Sequence, residues 1–263
     1  MKLIGVDVGF SKTRETTGIA CVDGEKLYLD RAGTEWNSRR EKVPPSFQAP
    51  VIALDGPLLP ASADGLVRRS CEYAFIQAPF HNRCKPGLSH FGTGLKLRRA
   101  AAEACTQFGE FVSFPAPSKR GVRVSRRGPI VEAFPNAFLG VLLPESRFPA
   151  PKLKRGHRFD WLYGQALEAG RLEPDFLGLD LPDEVWRRLK EERNHELRAA
   201  LICLLTAAFA VHQTAAVIGE SAGGWFWLPP YSLWEPWAKC GLAKAAEEIA
   251  ERVHSRLDVY QCD

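Results

Sequence analysis

The sequence predicts a mixed α/β protein, and three observations carry the prediction. The chain opens on short apolar runs joined by polar loops, a hairpin pattern. A further apolar run, again ending in an acid and a glycine, follows a polar stretch that has room for a short helix. Far downstream, His195 to Ala210 is apolar on nearly every side, the mark of a helix enclosed by the rest of the molecule.

The elements follow in order. Leu3 to Asp7 is the first strand, Gly18 to Val22 the second and Lys26 to Asp30 the third, with Asp23-Gly24 as a tight turn. The polar loop Ser11 to Thr17 separates the first two. Arg31 to Pro50 has room for a short helix before Pro44-Pro45. Val51 to Leu54 is a buried strand closed by Asp55-Gly56. Helical spacing recurs over Ser62 to Gln77 and over Gly94 to Phe108, with a Gly-, Pro- and His-rich loop between. Pro129 to Pro135 is a short strand that carries Glu132. Asn136 to Leu143 is a short helix, and Phe159 to Gly170 is a helix stopped by its glycine. Pro182-Asp-Glu starts another, with acids in the first turn where the helix dipole favours them. After the buried helix, Gly219 to Gly224 is a turn leading into a last strand. Trp237 to Leu257 is an amphipathic helix.

No linker divides the 263 residues, so a single domain is expected over 1–263, with a helical extension from about residue 230. At 45% apolar residues a sizeable core is easily buried. No apolar run reaches the roughly 18 residues of a membrane span. Thr206, His212, Gln213 and Thr214 interrupt the longest stretch. The N-terminus runs straight into a strand pattern without a signal-peptide profile. Seven cysteines, an odd number without repeating spacing, favour reduced thiols and a cytoplasmic setting. The formal charge of +4 permits a nucleic-acid partner without demanding one.

Four acids adjoin or interrupt apolar sequence: Asp7, Asp55, Glu132 and Glu196. A buried carboxylate costs several kcal/mol unless it is paired or bound to metal. Acids from separate strands and one helix can converge at one end of a sheet. Two divalent ions held there can activate a water and stabilise a leaving oxygen in phosphodiester hydrolysis. Plainer readings stand beside this one. A strand-terminal Asp near a Gly is also turn chemistry. Glu132 has Arg123, Arg126 and Arg127 as possible partners, and Glu196 also reads as a solvated helix acid.

Six motifs occur in order: Asp7-Val-Gly, Leu54-Asp-Gly-Pro-Leu, Arg69-Ser-Cys-Glu72, Val131-Glu-Ala-Phe-Pro135, His195-Glu196 before Leu201-Ile-Cys-Leu-Leu-Thr-Ala207, and Gly223-Gly-Trp-Phe-Trp-Leu-Pro229. Together they resemble the predicted RNase H-fold nucleases grouped as domain-of-unknown-function family 429, over Leu3 to Pro229. The resemblance implies a ribonuclease H-like fold: a five-stranded mixed sheet, its first three strands antiparallel, flanked by helices. It implies Mg²⁺- or Mn²⁺-dependent cleavage of nucleic acid of unspecified type. Asp7, Asp55 and Glu196 would bind metal, and Glu132 would share a metal or orient the attacking water. Many relatives carry an Asp-Ala pair where this chain has Ala199-Ala200. The helix acid here is Glu196, about one turn earlier on the same face. Candidate substrate contacts are Lys12 and Arg14 near Asp7, Arg69 in its motif, and Arg123 and Arg126 in the basic run from Lys119 to Arg127.

Two other classes compete. Gly5-Val-Asp-Val-Gly-Phe-Ser-Lys-Thr13 also resembles the first phosphate loop of actin-like phosphotransferases, for which Gly219 to Gly224 is the single candidate second loop. A non-catalytic nucleic-acid- or partner-binding module that kept the fold is the third reading, and Ala199 supports it.

Overall fold

The computed structural model describes residues 1–59, 69–84, 88–113, 129–148, 157–252 and 256–261. Strands β1 (Lys2–Asp7), β2 (Thr17–Asp23) and β3 (Lys26–Ala32) form the opening antiparallel meander. Helix α1 (Trp36–Arg40) leads to β4 (Ile52–Asp55), which pairs with β1 in parallel. Helices α2 (Ser70–Ile76) and α3 (Gly92–Phe108) precede β5 (Ile130–Ala133), which extends the parallel set. Then come α4 (Pro135–Val141), α5 (Arg158–Glu168), the short α6 (Pro174–Leu177), α7 (Asp183–Glu191) and the long α8 (His195–Val211). The chain closes with β6 (Ala216–Glu220), β7 (Gly224–Leu228), α9 (Pro236–Arg252) and β8 (Asp258–Gln261).

Among the described residues these strands make one mixed sheet of order β3-β2-β1-β4-β5-β7-β6-β8. The resemblance implies five strands and the residue pattern marks six; eight are present, which corrects both counts. Strand β6 escaped notice because it continues the apolar stretch of α8. Gln213, at φ 56°, ends that helix and turns the chain into the sheet. Strand β8 has four residues and pairs antiparallel with β6 at the sheet edge. The C-terminal segment is therefore no appendage. Leu242, Ala245 and Ile249 of α9 are buried in the main core, and β8 completes the sheet.

The period-2 alternation of the strands sorts the core into two layers. Leu3, Ala20, Val22, Ala53 and Val131 pack in one cluster with α8, α4 and α5. Ile4, Val6, Ile19, Cys21, Ile52, Leu54 and Ile130 pack in the other, against Ala101, Ala104 and Phe108 of α3. Helix α8 lies unusually close to the sheet. A Cβ on Gly5 would sit 2.1 Å from the Leu204 nitrogen, and one on Gly18 would sit 2.1 Å from the Glu196 carbonyl oxygen. Glycine at these two strand positions is what brings the helix backbone down onto β1 and β2. No helix among the described residues is long and apolar enough to cross a membrane.

Candidate carboxylate site

Asp7 ends β1 and Asp55 ends β4, and the parallel register pairs them directly. Paired positions on neighbouring strands project to the same sheet face. That face is the one covered by α8, because Asp7 lies two residues after Gly5 and Asp55 two after Ala53. On the other side of β1, Asp7 pairs with Gly18, which lies under the Glu196 carbonyl. Asn194 caps α8 by accepting from the Leu197 N–H at 3.1 Å. The cap fixes the first turn and sets Glu196 beside the end of β1.

The electrostatics follow from this crowding. Burial, then the charge of Asp55, then that of Glu196 hold the Asp7 carboxyl well above the ordinary range. Burial, then Glu132, push Asp55 up to about 7. Neither acid makes an ion pair among the described residues. A carboxyl whose folded pKa is raised contributes stability that is complete below its unfolded pKa and is lost as pH rises through the folded value. The metal-free protein is therefore expected to lose thermal stability between about pH 4 and about pH 7, the window set by Asp55. If these acids hold Mn²⁺, the ion should restore stability most strongly above about pH 7, where Asp55 is ionised. Calorimetric melting across that range with and without Mn²⁺ checks both; a midpoint that rises from pH 4 to pH 7 without metal contradicts the first.

A cleft of about 770 Å³ opens at this corner. Asp7 and Glu196 line it, with Lys12 and Arg14 from the β1–β2 loop, Lys96 and Arg99 from α3, and His195. Lys12 and Arg14 thus line the same cleft as Asp7. Lys96 and Arg99 were missed. Their one signal was Lys96-Leu-Arg-Arg99, three cations in four helical residues. Arg98 turns inward and donates to the Leu59 carbonyl at 2.8 Å, which leaves its two neighbours exposed toward the cleft.

The loop after Asp7 is pinned from below. The Arg39 side chain, 1% exposed, donates to the Gly9 carbonyl at 3.0 Å, to Thr17 Oγ1 at 3.3 Å and to Gln107 Oε1 at 2.8 Å. Both ends of the loop therefore hang on one guanidinium. Gly9 crosses so near the returning strand that a Cβ would stand 2.3 Å from the Thr16 carbonyl carbon.

Glu132 and Arg69 have a different place. Glu132 pairs in register with Leu54, one residue off from Asp55, so it leaves the sheet on the opposite face. Both its oxygens accept from Arg69 at 2.7 Å. Arg69 also donates to Glu72 Oε1 at 2.9 Å and to the Gly223 carbonyl at 3.2 Å. Its guanidinium stacks 5.2 Å from the Phe226 ring centroid. Burial pushes the Glu132 carboxyl up, and the Arg69 guanidinium opposes that shift. Two expectations change accordingly. Both Glu132 oxygens are engaged by Arg69, and Arg69 is a core residue, 3% exposed, set back from the cleft that Asp7 lines. A cavity of about 60 Å³ separates this network from Asp55, which lines it together with Arg69 and Glu132. Arg123 and Arg126 lie outside the described residues. The tryptophans Trp225, Trp227, Trp234 and Trp237 are buried in the core.

Among the described residues no three His, Cys, Asp or Glu stand close enough to make a metal-ligand group. Asp7, Asp55 and Glu196 share a corner without forming a closed triad. The donor chemistry fits Mg²⁺ or Mn²⁺ nonetheless. Asp7 and Asp55 are hard oxygen donors in register, their repulsion uncompensated, and Mg²⁺ commonly takes only one or two carboxylates with substrate phosphate and water. No family model, no curated protein and no solved structure matches the chain.

Proposed function

We propose that the chain is a Mg²⁺- or Mn²⁺-dependent nuclease of ribonuclease H-like fold that cleaves phosphodiester bonds in nucleic acid. The observation that carries this reading is Asp7 and Asp55 side by side at the carboxyl ends of adjacent parallel strands, with Asp7 facing a cleft edged by four cations. The strand order supports it. β3-β2-β1-β4-β5, three antiparallel and then two parallel, agrees with the five-stranded core the resemblance implies, and β7, β6 and β8 lie beyond it.

Asp7 and Asp55 would hold the ion, with Glu196 adding negative charge beside Asp7. The ion when bound supplies activation of water and stabilisation of the leaving oxygen. Lys12, Arg14, Lys96 and Arg99 bind the phosphates on either side of the scissile bond. Arg39 holds the loop that carries Lys12 and Arg14, and the Arg69–Glu132 pair braces β5 behind Asp55. The free thiols of the described cysteines accord with a cytoplasmic setting. The test is incubation of the purified protein with single-stranded and duplex DNA, RNA and hybrids in Mg²⁺ or Mn²⁺. Cleavage that stops on adding EDTA is expected, and inertness on every substrate with both metals removes the proposal.

The actin-like reading draws less support. The Gly219–Gly224 turn enters β7 at its amino end, whereas Asp7 and Asp55 lie at the carboxyl ends of strands parallel to it. The two loops therefore open at opposite ends of the sheet.

A further inference from the structure

We infer that the cleft takes single-stranded nucleic acid, one base of which stacks on Phe10. The inference rests on reading this cleft as the substrate site. Phe10 lines the cleft and is 40% exposed, one of only three large aromatic side chains left so open among the described residues. A single exposed aromatic is ordinary on a protein surface. Its place is what distinguishes this one. Phe10 follows Gly9, whose carbonyl is held by buried Arg39, so the ring stands on a fixed base. Asp7 lies three residues before it, Lys12 and Arg14 two and four residues after it, and Lys96 and Arg99 line the same cleft. None of these four cations makes an ion pair among the described residues, so their charge is free for a polyanion.

An aromatic platform edged by cations is the recurring way to hold a strand without reading its sequence, because every base offers a π-face and every phosphate a charge. A duplex keeps its base faces stacked inside, where Phe10 has no access to them. It would meet the ring with phosphate and sugar instead. The cleft volume of about 770 Å³ is that of a site for one small ligand, room for a few nucleotides of one strand. Neither the ring nor the cations distinguish ribose from deoxyribose, so DNA and RNA strands are both expected to bind.

The test is fluorescence anisotropy of the whole protein in EDTA, with labelled single strands of about 12 nucleotides, DNA and RNA, and the matching duplexes. Single strands should bind at least about ten-fold more tightly than duplex. Phe10→Ala should weaken single-strand binding by about 5- to 100-fold, the usual value of one stacked base, and leave duplex binding alone. Phe10→Trp should retain it. Lys96→Ala and Arg99→Ala should each lower the salt dependence of strand binding by about 0.7 in log–log slope. Equal affinity for duplex, or a Phe10→Ala variant that binds strands like the wild type, overturns the inference. A parallel Mn²⁺ cleavage assay separates it from the nuclease reading. Phe10-dependent strand binding without cleavage upholds the ligand class and removes the nuclease. Duplex cleavage that is indifferent to Phe10→Ala upholds the nuclease and removes the inference.

Discussion

Asp7→Asn is expected to abolish metal-dependent cleavage and, in the same protein, to raise the melting temperature of the metal-free form at pH 8. Both effects have one cause. Asp7 is crowded by burial, by Asp55 and by Glu196, and all three disfavour its charge. The wild type carries a growing share of that cost as pH rises above the ordinary carboxylate range. Asparagine keeps the shape and removes the charge, so the fold gains several degrees by the usual conversion for a domain of this size. On the proposed reading, losing one anionic donor weakens the hold on the ion that would stabilise the reacting phosphate, for an expected fall of roughly a thousand-fold or more in rate. The Mn²⁺-induced shift in melting should shrink with it. Cleavage at wild-type rate would detach Asp7 from the chemistry. A lower melting temperature would contradict its like-charge environment.

The second large effect is on stability. Arg69→Met leaves Glu72 and Glu132, both about 2% exposed, without the guanidinium they share. Removing one partner of a buried pair costs about 3–5 kcal/mol, and two stranded carboxylates place this variant at the upper end. Urea unfolding at pH 8 should show the loss, and Arg69→Met combined with Glu132→Gln should recover part of it because one stranded charge is gone. A single variant within about 1 kcal/mol of wild type would mean that the network contributes little. Arg69 ties α2 to β5 and to the turn before β7 through Glu132 and the Gly223 carbonyl. Its loss is thus expected to loosen the strand next to Asp55 and to lower activity as an indirect result.

Asp7 and Asp55 could be picked out in advance because each closes an apolar run with a glycine close behind, Gly9 and Gly56. The parallel register of β1 and β4 then sets Asp7 directly opposite Asp55. Glu132 sits in the same kind of run and still faces the other way. Its strand is shifted by one residue relative to the acids, and a shift of one inverts the face. Nothing near Glu132 in sequence announces Arg69, which is 63 residues away. The arginines that do lie close, Arg123, Arg126 and Arg127, were the natural guesses and fall outside the described residues. Lys96 and Arg99 reach the cleft because α3 packs against the sheet at one particular rotation, with Arg98 turned in.

By itself, then, the sequence determined what is local: the opening meander, the enclosed α8, and the pattern of an apolar strand ending in an acid. Hydrophobic periodicity and turn chemistry act within a few residues, so they can be read from the chain. The tertiary structure alone decided the eight-strand sheet, the opposite fates of Asp55 and Glu132, and the joining of Lys12, Arg14, Lys96 and Arg99 around one cleft. Register and long-range ion pairing arise only when distant segments meet.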